Sequence, residues 1–193
     1  MKISREWGMP SSDTFTCPPI RSFVMKYLNQ SKISVDPFAR NFQGCTWTND
    51  LNPNTQAQYH IKALDFLKML QDKGVHPDLV VFDPPYSMEQ AKRSYESYGY
   101  KFTYEDSLYV VRWIQEKNLL AYLMPNNSIF LHFGWHSNGM GKKRGFSIAE
   151  IMLVAHGSAH NDTLCMAERR TSKQEVFPFN KATTSDQLEL AAD

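Results

Sequence analysis

The sequence predicts an open, mostly parallel α/β sheet that ends in a C-terminal antiparallel hairpin. Two observations support this fold class. Short apolar runs alternate with segments whose apolar residues recur at helical spacing, which is typical of strands joined by crossover helices. Near the C-terminal end, two strand-like runs flank a polar stretch at 157–162 that suits a hairpin turn. The 193 residues suffice for one domain with a substantial core.

The first half of the chain is predicted to contain two helices and two strands. Residues 1–19 contain prolines and no clear periodicity, so irregular structure is expected there. An amphipathic helix is expected over 20–29 and another over 56–70, because each places its apolar residues on one face. The two short strands between these helices are Ile33–Val35, which ends at Asp36-Pro37, and Thr46–Thr48, which ends at Asn49-Asp50.

The second half is predicted to complete the sheet. Leu79–Phe82 is a third strand, and a helix or helix pair follows over 105–118. A fourth strand is expected over 119–124, and residues 128–133 either extend it or form a short helix. The hairpin strands are expected over 148–155 and 163–167. We predict one domain over residues 1–175, followed by a polar tail over residues 176–193.

Composition excludes several classes of protein. At 42% hydrophobic and 21% charged residues, the chain is typical of a globular protein and not of a disordered one. No apolar run approaches the ~20 residues of a membrane helix, and no signal-peptide pattern is present. The three cysteines are odd in number and scattered, which favours a reducing compartment. We therefore expect a cytoplasmic protein that does not contact a membrane.

The net charge of +1 argues against attraction of nucleic acid by the whole surface. A polyanion would need a local basic patch, and two are present. Lys92-Arg93 forms one, and Lys142, Lys143 and Arg144 form the other. Either patch is also compatible with an ordinary solvated surface.

Three predicted strands are each followed by an acidic residue. Asp36, Asp50 and Asp83 should meet at one edge of the sheet, because ligands of such sheets bind beyond the carboxyl ends of the strands. After the third strand, Asp83-Pro84-Pro85-Tyr86 combines a carboxylate, a stiff backbone and an aromatic ring. This set suits a planar group that bears an amine, such as a nucleobase.

Together these motifs resemble the S-adenosylmethionine-dependent DNA amino-methyltransferases, and most closely the compact adenine-specific (N6) methylases of phages and plasmids. The resemblance covers residues 7–168 and implies a Rossmann-like class I methyltransferase sheet. Every motif is weak alone, and their order is what makes the pattern specific. The matching segments are Val35–Ala39, Thr48–Pro53, Ala63–Leu67, Phe82–Tyr86, Phe133–Gly139, Ala155–Gly157 and Asn161–Thr163.

The resemblance implies that S-adenosylmethionine is the cofactor and that no metal is needed. Asp50 matches the carboxylate that accepts hydrogen bonds from the ribose, with Leu51 beside it, and Asp65 with Phe66 matches the adenine-binding position. Asp36, Pro37, Phe38 and Ala39 match the loop near the methionine end, and Phe15 and Thr16 match a segment that closes over the cofactor. The usual glycines after Phe38 are absent, because Ala39-Arg40-Asn41 stands in their place.

For catalysis we predict that Asp83 and the Pro84 carbonyl accept hydrogen bonds from the adenine amino group. Pro85, the next residue, belongs to the same predicted catalytic segment. Tyr86 would stack on a base flipped out of DNA, the predicted partner. A metal site at His156, His160 and Asp162 is not expected, because no cysteine or glutamate completes a ligand set. The remaining candidate substrate contacts are Ser87, Lys92, Arg93, Trp135, His136, Lys142, Lys143 and Arg144.

Alternatives remain at this level. The Asp-Pro-Pro-Tyr pattern also fits methylation of cytosine N4, an RNA guanine or a glutamine side chain. A noncatalytic nucleic-acid-binding relative, or an oligomeric interaction protein without activity, is a different kind of function. The chain has no room for a separate target-recognition domain, so we expect short or weak sequence specificity, or help from a second subunit in a homodimer.

Overall fold

The computed structural model describes residues 1–11, 13–110, 113–157 and 160–171. Two short 3-10 helices, at Thr14–Thr16 and Lys142–Arg144, accompany the main elements. The strands in these residues are β1 (Lys2–Trp7), β2 (Ser34–Asp36), β3 (Trp47–Thr48), β4 (Leu79–Phe82), β5 (Ile129–Gly134), β6 (Phe146–Ala155) and β7 (Thr163–Arg170). The α-helices are α1 (Pro18–Leu28), α2 (Ala63–Asp72), α3 (Met88–Ser97), α4 (Tyr104–Val110) and α5 (Ile114–Leu123).

All strands belong to one sheet in the order β1-β6-β7-β5-β4-β2-β3. Only β7 runs antiparallel to its neighbours, β5 and β6, and every other pair is parallel. The predicted fold class and the C-terminal hairpin are therefore confirmed. From β2 the chain moves outward to β3 on one side, whereas β4 and β5 lie on the other. This reversal between β2 and β4 is where open α/β sheets bind ligands.

Helices cover both faces of the central strands. On one face, Phe66 and Leu70 of α2 and Leu120 of α5 pack in one cluster with Phe82 and Phe130. On the other face, Phe23 and Val24 of α1 pack in a second cluster with Val81, Leu131 and Val154. Burial on both faces explains why β4 is a continuous apolar run and not an alternating one.

Two predictions in the first half were wrong. Residues 1–19 include a regular strand, β1, which pairs in parallel with β6. Its side chains are mostly exposed, so no burial pattern marked it. The second helix begins at Ala63 and not at residue 56. The preceding residues follow β3, since Tyr59 donates its N–H to the Thr48 carbonyl and accepts one from Asp50.

One prediction in the second half was wrong. Residues 119–123 form the second half of α5 and not a strand, because a short buried apolar run has no periodicity that distinguishes a helix from a strand. The strand lies instead at β5, one of the two outcomes expected for residues 128–133. Helix α3 was not predicted. The proposed tail, residues 176–193, lies outside the described residues. Among the residues that the structure describes, no helix is long and apolar enough to cross a membrane.

Candidate active site

A cavity of about 930 Å³ opens at the carboxyl edge of the sheet, beside the reversal between β2 and β4. The residues that follow β2, β3 and β4 form its floor, and α3 and the start of α2 form one wall. Thr14, in the segment that crosses this edge from β1 to α1, lies on another side. The cavity therefore brings together Pro37, Phe38, Asp50, Leu51, Asp83, Pro84, Pro85 and Tyr86 from the sequence prediction.

Asp36 lies at the end of β2 with no solvent exposure. Its Oδ1 accepts the Phe38 N–H at 2.9 Å, whereas Oδ2 is buried without a hydrogen-bond partner. Burial raises the pKa of Asp36 well above its ordinary value, and the charges of Asp83 and Asp50 raise it further. A negative charge at this position is thus costly until something compensates it.

The loop after β2 has the conformation that glycine usually supplies. Arg40 has a positive φ of 48°. Its N–H donates to Asp50 Oδ2 at 3.0 Å, and its Nε lies 3.3 Å from Asp13 Oδ1. The missing glycines therefore do not prevent the left-handed turn, because Arg40 is held in it by contacts on both sides. Ala39, buried beside it, bonds through its N–H to the Asn49 carbonyl at 2.8 Å.

Asp50 follows β3 and lines the cavity. Its two oxygens accept the N–H groups of Asn52 at 2.8 Å and of Arg40 at 3.0 Å. Burial raises its pKa, and these two hydrogen bonds oppose the increase. Each carboxylate oxygen has a second lone pair, so Asp50 retains acceptor capacity toward the cavity.

Asn49 holds this part of the site together. It is fully buried, and its Nδ2 donates to the carbonyls of Pro37 at 3.1 Å and Ile61 at 3.0 Å. Its Oδ1 accepts the Ile61 N–H at 3.1 Å. One side chain therefore fixes the loop after β2 against the approach to α2. In the sequence, Asn49 appeared only as a residue that ends a strand.

Asp83 and Tyr86 are joined directly. The Tyr86 hydroxyl donates to Asp83 Oδ1 at 2.7 Å, and the side chain of Thr14 hydrogen-bonds to both residues. Burial raises the pKa of Asp83 despite these bonds and despite the nearby charge of Arg40. Burial and the Asp83 charge also raise the pKa of Tyr86 well above its ordinary value. The carboxylate and the ring are consequently fixed relative to each other.

Helix α3 forms one wall of the cavity and contains Arg93, a predicted substrate contact. Ser87 caps its N-terminus by accepting the Gln90 N–H at 3.1 Å. Gln90 Oε1 in turn accepts the Tyr86 N–H at 2.7 Å, which leaves its amide nitrogen as a donor. The α3 residues that line the cavity are Gln90, Arg93, Ser94, Tyr95 and Ser97.

Trp135 stands at the rim of the cavity with 46% of its surface exposed. Its ring meets the Tyr86 ring edge-on, with 5.7 Å between centroids. His136 does not line the cavity and instead stacks on His132 at 6.0 Å. Of the two predicted loop residues, the structure thus brings one into the site.

The predicted cofactor contacts at Phe15 and Thr16 lie beside the main cavity. Both line a smaller adjoining cavity of about 90 Å³, together with Ala39. Phe15 is buried and packs on Phe42 and Phe133 at 4.8 and 5.2 Å between ring centroids. Thr14 is the residue of this segment that reaches Asp83, and no sequence signal distinguished it.

Several other predicted residues lie outside the site. The side chain of Asp65 is 57% exposed, and its Oδ1 lies 3.7 Å from Lys68 Nζ. Phe66 belongs to the core. The residues just before them, Lys62, Ala63 and Leu64, line the cavity. The α2 register turns Asp65 toward solvent. Lys92 is exposed beside Glu96, at 4.0 Å, and does not line the cavity.

The second basic patch lies at the opposite edge of the sheet. Lys142–Arg144 directly precedes β6, which runs parallel to β1 and ends at the carboxyl edge. Arg144 donates through Nε to Asn118 Oδ1 at 2.8 Å and through a terminal nitrogen to the Met140 carbonyl at 3.1 Å. Lys142, Lys143 and Arg144 therefore do not line the cavity, because the length of β6 separates them from it, and their contact with the substrate stays a prediction.

His156 and His160, near the hairpin, both line the cavity. His156 is buried, its Nδ1 donating to the Gly8 carbonyl at 2.6 Å and its Nε2 lying 2.8 Å from Thr163 Oγ1. Among the described residues, no group of three or more histidine, cysteine, aspartate or glutamate side chains could hold a metal ion.

Comparison with known proteins adds information about the fold. No family model and no curated protein matches the sequence. The structure is similar to TrmN from Thermus thermophilus, with a TM-score of 0.50, 12% identity, and coverage of 80% of this chain and 49% of that one. It is also similar to SMU.776, described as a methyltransferase and solved in complex with SAH. There the TM-score is 0.51, with 9% identity over 77% of this chain and 48% of that one.

The chain spans about half the length of these two proteins. At such low identity the similarity concerns architecture alone. The two structural matches agree with the strand order and with the single antiparallel strand. The chain therefore has the class I methyltransferase fold.

Proposed function

We propose that this protein is an S-adenosylmethionine-dependent methyltransferase that methylates N6 of adenine in DNA. The observation that carries the proposal is the position of Asp83-Pro84-Pro85-Tyr86. This segment follows β4 directly, lines the cavity at the strand-order reversal, and lies beside the segments that follow β2 and β3, which contain Asp36 and Asp50. A carboxylate and an aromatic ring thus face the space that a cofactor and a base would share.

The electrostatics of the cavity support a cationic ligand. Burial raises the pKa of Asp36 and Asp50, so their negative charges are poorly compensated. S-adenosylmethionine carries a sulfonium and an ammonium group, which would offset these charges. Asp50 would accept hydrogen bonds from the ribose hydroxyls, and Leu51 and Leu64 offer apolar surface to the adenine ring.

When bound, S-adenosylmethionine supplies a methyl group activated by its sulfonium. The protein then has to orient the acceptor amine and exclude water. Asp83 and the Pro84 carbonyl would accept hydrogen bonds from the amine, directing its lone pair toward the cofactor. Tyr86 holds the Asp83 carboxylate in place through its hydroxyl.

The rim of the cavity suits an extruded base. The ring centroids of Tyr86 and Trp135 are 5.7 Å apart, and Arg93 lies on the adjacent wall of the cavity. Base stacking on aromatic side chains stabilises single-stranded nucleic acid by ~1–3 kcal/mol per base. Ser87 caps α3, so its role is to position this wall and not to contact the base.

Residues 1–175 are proposed to form one methyltransferase domain that acts on DNA. The surface available for sequence readout is then mainly α3, α4 and the Trp135 loop. A methylation map should show a recognition site of only a few bases. A long, strict site methylated by the single chain would contradict this proposal.

The decisive experiment is transfer of a labelled methyl group to DNA, RNA and protein, followed by identification of the modified group. We expect label in DNA as N6-methyladenine. Label only in RNA, in protein or at cytosine N4 would overturn the substrate. Absence of transfer to all three, together with absence of cofactor binding, would overturn the enzyme class.

Asp83→Ala tests the role of the carboxylate. We expect transfer to fall by at least ~10²-fold while cofactor binding changes little, since Asp83 would contact the amine. Asp65→Ala is the matched control, because Asp65 is an exposed carboxylate outside the cavity. Wild-type transfer by Asp83→Ala, or equal losses in both variants, would contradict the assignment.

A further inference from the structure

Strand β1 forms one outer edge of the sheet. It pairs with β6 on one side, and among the described residues no strand pairs with its other side. Such an edge presents unpaired N–H and C=O groups and can accept a further strand. The strand is six residues long, which exceeds the short edges that proteins use to discourage this pairing.

One face of this edge is apolar. Met1, Ile3 and Trp7 are 76%, 68% and 65% exposed. Ile3 pairs in register with Ile151, whose neighbours Met152 and Val154 point to the α1 side. Alternation along the strand therefore places Ile3 and Trp7 on the face opposite α1. Clustered exposed apolar side chains of this size mark interaction sites more often than scattered ones do.

The sequence of this edge is complementary to itself. In an antiparallel pair of two copies centred on Ser4, Lys2 of each copy lies opposite Glu6 of the other, on one face. On the other face, Met1 lies opposite Trp7, and Ile3 lies opposite Arg5. Residues directly opposite in such a pair share a face, so Lys2 meets the opposite charge of Glu6 and Met1 meets the apolar ring of Trp7.

Neighbouring registers are poorer. A pair centred on Arg5 would set this guanidinium against its own copy, and like charges in opposite positions are destabilising. A pair centred on Ile3 would set Met1 against Arg5 and Lys2 against Ser4, so both Lys2–Glu6 charge pairs would be lost. Intermediate shifts of one residue would place each apolar side chain against the polar face.

We propose that β1 is the interface of a homodimer, in which two copies pair antiparallel about Ser4 and their sheets become continuous. Two Lys2–Glu6 pairs set the register, and the Met1 and Trp7 side chains cover each other at both ends of the paired strands. This inference is independent of the methyl-transfer site, since none of these residues lines the cavity.

Charge reversal tests the register directly. Glu6→Lys and Lys2→Glu should each weaken the dimer about tenfold or more, because two attractive pairs become two repulsive ones. The double variant should restore it. Most specifically, an equimolar mixture of the two single variants should form a heterodimer, because each altered position then meets the opposite charge. Sedimentation velocity over a range of concentrations measures all four samples.

Lys2 Nζ also lies 3.5 Å from Glu150 Oε1, so Lys2→Glu alone could loosen β1 from β6. Glu6 makes no such contact in the described structure, so Glu6→Lys is the primary variant. Lys73→Glu, at the exposed end of α2, is the matched control and should leave the mass unchanged. A wild-type mass of one chain at every concentration, or a dimer indifferent to Glu6→Lys, would overturn the proposal. The proposal would also be overturned if an equimolar mixture of Glu6→Lys and Lys2→Glu formed no heterodimer.

Discussion

Asp36, a proposed cofactor contact, is expected to destabilise the ligand-free protein at neutral pH. It is buried with one carboxylate oxygen unpartnered, and its pKa is raised well above its ordinary value. A raised folded pKa means that the native state binds this proton more tightly than the unfolded chain does. The resulting stability is present at low pH and is lost as pH rises through the folded pKa.

Asp36→Asn should therefore stabilise the ligand-free protein at neutral pH, by on the order of 1 kcal/mol. The amide keeps the oxygen that accepts the Phe38 N–H and removes the charge. The same change should weaken cofactor binding, because the cationic ligand loses a compensating carboxylate. Denaturant unfolding at pH 5 and pH 7, with calorimetric binding, measures both effects. A variant less stable than wild type at pH 7 would contradict the argument.

The pH dependence of turnover should follow Asp83. Its hydrogen-bond-accepting carboxylate is lost on protonation, and burial raises its pKa. Activity should consequently fall as pH decreases through this raised value, by about tenfold per pH unit below it. The check is a pH–rate profile of kcat. A plateau extending down to ~3.9, the ordinary pKa of aspartate, would exclude Asp83 as the acceptor.

Residue-level prediction succeeded where the strand ends determined position. Asp50, Asp83 and Tyr86 line one cavity, because the carboxyl ends of parallel strands meet at one edge. Thr14 and Asn49 escaped prediction, since their roles depend on loops far apart in sequence. Arg40 escaped for a different reason: a positive φ at a residue other than glycine leaves no sequence pattern.

At the scale of elements, α3 determines the shape of one wall of the site. Its N-terminus depends on Ser87, which accepts the Gln90 N–H. Ser87→Ala should destabilise this helix by ~1 kcal/mol, and Ser87→Thr should largely restore it. Hydrogen exchange of residues 88–97 measures the effect. Equal protection in wild type and Ser87→Ala would show that packing alone holds the helix.

The mispredicted elements share a physical cause. A periodic sequence pattern arises only when one face of an element is buried and the other is exposed. Helix α5 lacks this difference because its leucines are all buried, and strand β1 lacks it because nearly all its residues are exposed. Leu119, Leu120 and Leu123 of α5 are all buried, so the helix resembled a strand. Strand β1 is exposed on nearly every residue and resembled a loop. Both assignments depend on tertiary neighbours that local sequence does not specify.

For the whole molecule, cofactor binding should raise thermal stability. A ligand at 100 times its Kd adds ~2.7 kcal/mol to the free energy of unfolding. For a chain of this size that corresponds to about 5–10 °C in Tm. S-adenosylmethionine should produce this shift in wild type and Asp83→Ala, and a much smaller one in Asp50→Ala. An unchanged shift in Asp50→Ala would remove Asp50 from the cofactor site.

The overall arrangement also determines where the second basic patch lies. The sequence shows that Lys142–Arg144 lies between two strands, but not at which end of the sheet. That depends on β6 running parallel to β5 with β7 between them, a long-range property of the topology. Arg93, in contrast, lies on α3 and lines the cavity.

One continuous stretch of backbone connects the outer edge of the sheet to the centre of the cavity. Just after β1, the Gly8 N–H donates to the Ala155 carbonyl at 3.1 Å, and its own carbonyl accepts from His156. A little further along, Thr14 contacts Asp83 and Tyr86. Pairing of β1 with a second copy would restrict the conformational freedom of this stretch before substrate arrives. Specific activity per chain should then rise with enzyme concentration, and a plot of rate against concentration should curve upward until the dimer is saturated.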